Sequence, residues 1–305
     1  MFEQDFFEMY KEVQRQEKLD PKYKNESKMG TDIFYLFGED VLPNIKNDDW
    51  VYESAKVFAK DYAEEYFTTL RLMNSVDNIQ KRLTKMRSEI KELVREAMKS
   101  GLISGSVKLV KPSDFTKIVD IDELPGNLPQ KAANLYNDAL DLENMYVHTG
   151  SQATQALYEK GLPRIFFVVK RALKRQFGFA KTSGDNQLQE PHQYINWCKQ
   201  HLDNQHILSR FLVSNREYYK IVRNVDSHYS GPKWLPESNQ IYLPDKDNQM
   251  TVHIDKFSQL YRYLMYFCEI GCRGILAIFS KIEQGSISNH IKNEYIRMYD
   301  YPKLK

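Results

Sequence analysis

The sequence predicts an all-α protein, a helical bundle with one small β-hairpin. Over long stretches apolar residues recur at spacings of three and four, the period of an amphipathic helix. Glycine and proline are scarce, with 13 and 11 among 305 residues, which disfavours a sandwich or barrel built from many turns. Two short extended segments, Ile241 to Leu243 and Met250 to His253, predict the hairpin near 240–254.

Helices in the first part of the chain follow from continuous apolar stripes. Ser75 has the side chain of a helix N-cap, so we expect one helix to end and another to begin there. Gly101 is a typical helix stop and is expected to end the second helix. The predicted helices cover residues 1–19, 50–74 and 75–100.

A loop rich in helix breakers follows over residues 111–128, where Pro112, Pro125 and Gly126 interrupt the pattern. This loop is the best candidate for a boundary. We expect an N-terminal helical region of unknown role over 1–125 and a second helical domain over 126–305.

The second part again shows helical periodicity, with a kink expected near Gly161-Leu162-Pro163 because proline disrupts a helix interior. Asp255 is the expected cap of a long apolar helix, in which Gly271 and Gly274 lie among cysteines and predict close helix contact. The predicted helices cover about 130–147, 151–177, 191–203, 205–228, 255–282 and 286–299.

Composition narrows the class of protein. The formal net charge is only +2, which does not indicate a uniformly basic nucleic-acid coat. Three cysteines without regular spacing argue against a disulfide framework and favour a reducing compartment. The N-terminus lacks a signal-peptide pattern, and no apolar run reaches the length of a membrane span. We therefore expect a cytoplasmic protein without a membrane partner.

The strongest chemical signal lies at the end of the helix predicted over 205–228. Asn224 and His228 are four residues apart and share a helix face, and Arg223 lies about 140° from His228 around the axis, so the two flank a groove. An arginine side chain can bind an anionic oxygen, and a histidine side chain can exchange a proton near neutral pH. Asn224 can hold either the imidazole or a substrate oxygen.

These groups suit RNA cleavage without a metal ion. A base removes the 2′-OH proton, a cation stabilises the charge that develops on the phosphate, and an acid protonates the leaving 5′-oxygen. One histidine cannot easily serve both faces of the phosphate, but two copies of the helix across a two-fold axis can. Tyr219 and Arg216 lie one and two turns before Arg223, and we expect them to contact RNA.

The pattern Arg223-x4-His228, with Asn224 directly after the arginine, resembles the R-x(4–6)-H motif of the HEPN superfamily. The resemblance covers about residues 190–282 and implies a compact HEPN-like helical bundle in the C-terminal half. It implies a homodimeric, metal-independent endoribonuclease with RNA as substrate, found in toxin–antitoxin, abortive-infection and CRISPR-associated (phage defence) systems. Arg223 and His228 would then be the catalytic pair. An antitoxin or sensor protein is a further expected partner.

Two alternatives stay open at this point. The stretch could be a polar helix end in which Arg223 pairs with Asp226 or Glu217 and His228 favours the helix dipole. The chain would then be a non-catalytic helical module that binds nucleic acid or protein. A cleft lined by Arg223 and His228 favours the ribonuclease, whereas pairs within the chain or a convex surface favour the module.

A basic run precedes the motif, with no acidic residue between Gly161 and Gly184. It can be interpreted as a groove wall for RNA phosphates or as a solvated helix face. The predicted RNA contacts in it are Arg164, Lys170, Arg171, Lys174 and Arg175, and Lys181 completes the run.

We expect neither a metal nor a cofactor. Four potential ligands cluster in sequence, but their spacing matches no standard zinc frame: His192, Cys198, His201 and His206. The sequence contains no phosphate-binding loop, dinucleotide fingerprint or serine-hydrolase motif.

Overall fold

The computed structural model confirms an all-α helical bundle with a small antiparallel sheet. It describes residues 30, 32–105, 109, 111–228, 231–245 and 249–282. The helices predicted over 1–19 and 286–299 lie outside the described residues. Among the described residues, no helix combines the length and apolar character needed to cross a lipid bilayer.

The first helices follow one another with short connections. A π-helical turn, Leu36–Val41, leads into α1 (Leu42–Asn47), and α2 (Asp49–Val57) leads through a second π-helical turn, Phe58–Tyr62, into α3 (Ala63–Lys99). Asp48 separates α1 from α2. Its carboxylate accepts hydrogen bonds from two backbone N–H groups of the first turn of α2, at 3.0 and 3.2 Å.

Ser75 does not begin a helix, so that prediction is wrong. Helix α3 runs straight through it, and the hydroxyl of Ser75 donates to the Arg71 carbonyl oxygen at 3.5 Å. The stop at Gly101 is confirmed. Gly101 has a φ of 77°, and Leu102 N–H donates to the Ala97 carbonyl at 3.0 Å, which closes the helix end.

The helix predicted over about 130–147 is longer than expected, and the one predicted over about 151–177 is shorter. After a 3-10 turn, Pro112–Lys117, α4 (Leu128–Ala156) continues through a π-helical segment, Leu157–Gly161, into α5 (Leu162–Gln176). At the position where a kink was expected, near Gly161, the structure has this change of helix type, with Pro163 in the first turn of α5, where its missing N–H costs least.

The helix predicted over 205–228 is interrupted. A 3-10 turn, Ser183–Asn186, and α6 (Pro191–His201) are followed by a π-helical segment, Ser209–Val213, and then by α7 (Arg216–His228). Asn215 stands in the break, and its side-chain amide donates to the Phe211 carbonyl at 2.9 Å. Helix α7 is therefore a separate element that carries the whole motif.

A small sheet connects α7 to the last long helix. Strands β1 (Lys233–Leu235), β2 (Gln240–Leu243) and β3 (Met250–His253) are antiparallel in that order. The β2–β3 hairpin is confirmed, with Ile241 opposite Val252, and β1 was not predicted. Helix α8 (Ile254–Ile282) begins one residue before Asp255, and the acceptor near its start is His253 Nδ1, at 3.3 Å from Asp255 N.

The buried core is continuous across the boundary expected near residue 125. The rings of Phe37 and Phe267 lie 5.5 Å apart, although they come from opposite sides of it. The close contact expected at Gly271 is confirmed, because a Cβ there would lie 2.6 Å from Ile165 Cγ2 and from Phe37 Cζ. The helices before and after residue 125 thus share one core.

Candidate functional site

Helix α7 is held by its apolar face, which packs against α4. Tyr219 is fully buried. Its hydroxyl donates to the Leu260 carbonyl oxygen at 3.3 Å, and its ring stacks on that of Tyr158 at 5.7 Å between centroids. The predicted RNA contact of Tyr219 is therefore wrong, because this side chain belongs to the core that fixes α7.

Arg223 lies on the outer side of α7. Its side chain is 45% exposed, and its Nε donates to Glu159 Oε1 at 3.0 Å. Glu159 belongs to the π-helical segment and was not among the partners expected for Arg223 from the sequence. The Gln155 side-chain amide donates to the Arg223 carbonyl oxygen at 3.3 Å, which anchors the same turn of α7 to α4.

Asn224 and His228 complete the motif. The amide of Asn224 is half-buried and donates to Asp245 Oδ1 at 3.4 Å, so the segment after β2 contacts α7 here. His228 is the last residue of α7, and its side chain lies outside the described part of the chain. The backbone places Arg223, Asn224 and His228 together on the last two turns of one helix.

Arg216, at the start of α7, is half-buried. It donates to Asn196 Oδ1 at 3.3 Å and lies 3.9 Å from Glu217 Oε1. Burial raises the pKa of Tyr158 to about 12, and the positive charges of Arg223 and Arg216 partly offset that effect. Two arginines of α7 therefore contribute positive potential around the Tyr158 phenol.

The basic run does not form an exposed wall, and the RNA contacts predicted for Lys170, Arg171 and Lys174 are wrong. All three side chains are buried. Lys170 and Lys174 pair with the two oxygens of Asp185 at 2.8 and 2.5 Å, and Arg171 donates to the Asp185 carbonyl at 2.9 and 2.8 Å. The acid-free stretch ends at Gly184, and the next residue, Asp185, supplies a carboxylate that pairs with two of its lysines.

Asp185 is held as a carboxylate by this arrangement. Burial alone would raise its pKa, but hydrogen bonds from Lys170, Lys174 and Thr182 outweigh that and hold the pKa well below its usual range. The guanidinium of Arg171 also lies 5.1 Å from the Trp50 ring centre, which adds a cation–π contact. The cluster fastens the loop after α5 to the bundle.

The remaining residues of the run are nearer to the surface. Arg164 pairs with Glu65 and donates to the Lys160 carbonyl at 2.7 Å, and its side chain is 12% exposed. Arg175 is 62% exposed and pairs with Asp48 at 2.9 Å. Lys181 is exposed over the Trp50 ring. Among the predicted contacts of the run, Arg175 is the one that solvent reaches most easily.

A polar cleft of about 470 Å³, which was not predicted, lies between α3, α4 and the start of α8. Arg223 and Asn224 are not among its lining residues. Lys111 and Glu143 are buried residues of the cleft lining, and both contact Ser113. The hydroxyl of Ser113 donates to Glu143 Oε2 at 2.7 Å. Glu143 falls on the buried stripe of α4, one turn after Ala139.

Of the four potential ligands around α6, Cys198, His201 and His206 make contacts within the fold, and His192 is exposed. Cys198 is buried, which raises the pKa of its thiol, and the His201 ring stacks on Trp197 at 5.2 Å. His206 Nδ1 accepts the Leu208 N–H at 3.2 Å. Within the described ranges, no group of three or more His, Cys, Asp or Glu residues is arranged to hold a metal ion.

Comparison with protein-family models, with curated proteins and with solved structures gives no match. The side chains at the end of α7 are therefore the main indication of what this chain does.

Proposed function

We propose that this chain is a metal-independent endoribonuclease of the HEPN type that acts in the cytoplasm, in a toxin–antitoxin or phage-defence setting. One observation carries the proposal. Arg223, Asn224 and His228 lie on the last two turns of α7, and the Arg223 side chain is 45% exposed beside them.

The chemistry follows from these side chains. A neutral imidazole of His228 takes the proton of an RNA 2′-OH, and the 2′-oxygen attacks the adjacent phosphorus. The bond to the 5′-oxygen breaks, and a protonated imidazole supplies the leaving oxygen with its proton. Arg223 stabilises the extra negative charge on the phosphate in the transition state, and Asn224 orients the reacting groups. The products are a 2′,3′-cyclic phosphate and a 5′-hydroxyl.

A homodimer supplies both protonation states at once. An isologous contact places the same patch of each subunit together, so two α7 ends can face one scissile phosphate. One His228 then acts as the base and the other as the acid. An antitoxin or sensor protein that covers this patch would hold the enzyme inactive.

A second candidate is a non-catalytic helical module that binds nucleic acid or protein. One observation favours it: Arg223 and Asn224 each bond to a side chain of their own chain. Under this proposal the chain binds RNA in a salt-dependent manner without cleaving it.

The test is RNA cleavage by the full chain in the presence of a chelator. We expect wild type to cleave single-stranded or transfer RNA, and His228→Ala or Arg223→Ala to lose at least about 100-fold in rate, as befits an acid–base group or a charge stabiliser. His192→Ala and Arg95→Ala are matched controls, since both residues are exposed and remote in sequence from the motif. Full activity of His228→Ala, or no metal-free cleavage by wild type, overturns the ribonuclease proposal.

A further inference from the structure

We propose that Glu159 is the positioning residue for Arg223, so that the π-helical segment Leu157–Gly161 forms part of the ribonuclease site. This inference rests on the proposed function. It adds a residue that lies outside the sequence motif and 64 positions before the arginine.

The contact is specific in geometry. Arg223 Nε donates to Glu159 Oε1 at 3.0 Å. An arginine side chain has many rotamers, and a bond at Nε fixes the plane of the guanidinium. Because arginine recognises phosphate through N–H donors held in that plane, the plane determines where a phosphate can bind.

The carboxylate is itself held in place. Gln155 donates to Glu159 Oε2 at 3.5 Å, and through the same amide to the Arg223 carbonyl at 3.3 Å. One glutamine side chain thus contacts both the carboxylate and the backbone of the turn that carries the arginine.

The π-helical segment gives Glu159 a rigid base. Its neighbour Tyr158 stacks on Tyr219 of α7 with an interplanar angle of 13°. At the end of the segment, a Cβ on Gly161 would lie 3.1 Å from Cys268 Sγ and 3.2 Å from Tyr66, so the backbone there packs directly on α8 and α3. Single π-helical turns inside helices are frequent at functional sites, and this one joins two helices at the arginine.

The exposure of the Arg223 and Glu159 side chains indicates that Glu159 positions the arginine and contributes little to the stability of the fold. The Arg223 and Glu159 side chains are 45% and 33% exposed, and ion pairs this accessible contribute little to folding stability. Loss of the carboxylate should therefore leave the fold intact and misdirect the guanidinium. A carboxylate that merely competed with phosphate would give the opposite result, since its removal would strengthen RNA binding.

The experiment measures steady-state RNA cleavage by full-length Glu159→Gln, Glu159→Asp and wild type. We expect Glu159→Gln to lose about tenfold or more in kcat, with KM changed by less than about twofold, because the misplaced group acts in the transition state. Glu159→Asp should restore part of the loss. In an Arg223→Ala background, Glu159→Gln should cause no further loss, because the glutamate acts through the arginine.

Glu217→Gln is the matched control, since it removes an exposed carboxylate of α7 that is adjacent in sequence to Arg216. It should retain wild-type kcat, and all variants should keep the wild-type thermal midpoint. If wild type cleaves RNA and Glu159→Gln is equally fast or faster, the inference is overturned while the proposed function stands. If wild type does not cleave RNA, the proposed function fails and takes the inference with it.

Discussion

At Gly271, α8 approaches two other helical segments so closely that no side chain fits. A Cβ would lie 2.6 Å from Ile165 Cγ2 and from Phe37 Cζ, well inside van der Waals contact. A core this tightly packed tolerates extra atoms poorly, since neighbouring groups must leave their preferred rotamers.

We expect Gly271→Ala to lower the free energy of unfolding by about 1–3 kcal/mol, because Phe37 and Ile165 must move apart. The measurement is urea unfolding followed by circular dichroism. Gly38→Ala is the control. A Cβ at Gly38 meets no atom within 4 Å, so the gain in helix propensity should stabilise the protein by about 0.5–1 kcal/mol. Equal stability of the two variants would contradict the packing argument.

Single residues also show where local sequence misleads. Lys170 and Lys174 looked like an exposed basic face because no acid lies among them, yet both are buried against Asp185. Glu159 gave no signal at all, since its partner Arg223 lies in a different helix. Charge pairing of this kind depends on which helices meet, and a stretch of sequence read alone does not contain that information.

At the scale of elements, the ion pairs of Asp185 with Lys170 and Lys174 hold the loop that follows α5 against α5. Asp185→Asn leaves two buried ammonium groups facing a neutral amide, so we expect a loss of about 3–5 kcal/mol in stability. Chemical denaturation at neutral pH measures it. Glu92→Gln is the control. The side chains of Glu92 and Arg95 are 62% and 63% exposed, so their ion pair should contribute only about 0–1 kcal/mol to the free energy of unfolding.

A comparison of wild type with Asp185→Asn at different pH values tests the lowered pKa of Asp185. A carboxylate whose pKa is lower in the folded state stabilises the fold fully above its unfolded pKa, about 3.9, and loses that contribution as the pH falls toward the folded value. The stability difference between wild type and Asp185→Asn should therefore be constant near neutral pH and shrink below about pH 4. A difference that grew on acidification would reverse the assignment.

Helix ends were the least predictable part of each element. Gly101 was correctly predicted, since only glycine adopts its φ of 77° at low cost. Ser75 was not, because its hydroxyl can also bond to a carbonyl one turn back and so remain inside a helix. The break at Asn215 was missed for the converse reason, as nothing in the local pattern ends the helical periodicity there.

At the scale of the whole molecule, one core includes residues from both sides of the boundary predicted near residue 125. Phe37 packs on Phe267, and Tyr66 lies against Gly161. A fragment of residues 126–305 would expose the surfaces that α1 to α3 cover. We expect this fragment to lack a cooperative unfolding transition, as measured by circular dichroism in urea, whereas the full chain has one.

A fragment that unfolded cooperatively at the midpoint of the full chain would instead establish an independent domain after residue 125. The full chain carrying Glu92→Gln is a suitable reference for a protein altered only at its surface.

The sequence by itself determined the helical class, the β2–β3 hairpin, the stop at Gly101 and the position of Arg223, Asn224 and His228 at one helix end. These depend on periodicity, backbone preference and spacing along one element, which are local properties. Tertiary structure alone decided that Lys170 and Lys174 are buried, that Tyr219 belongs to the core and that Glu159 meets Arg223. Those outcomes depend on which helices pack together, because burial and charge pairing arise only between elements that are distant in sequence.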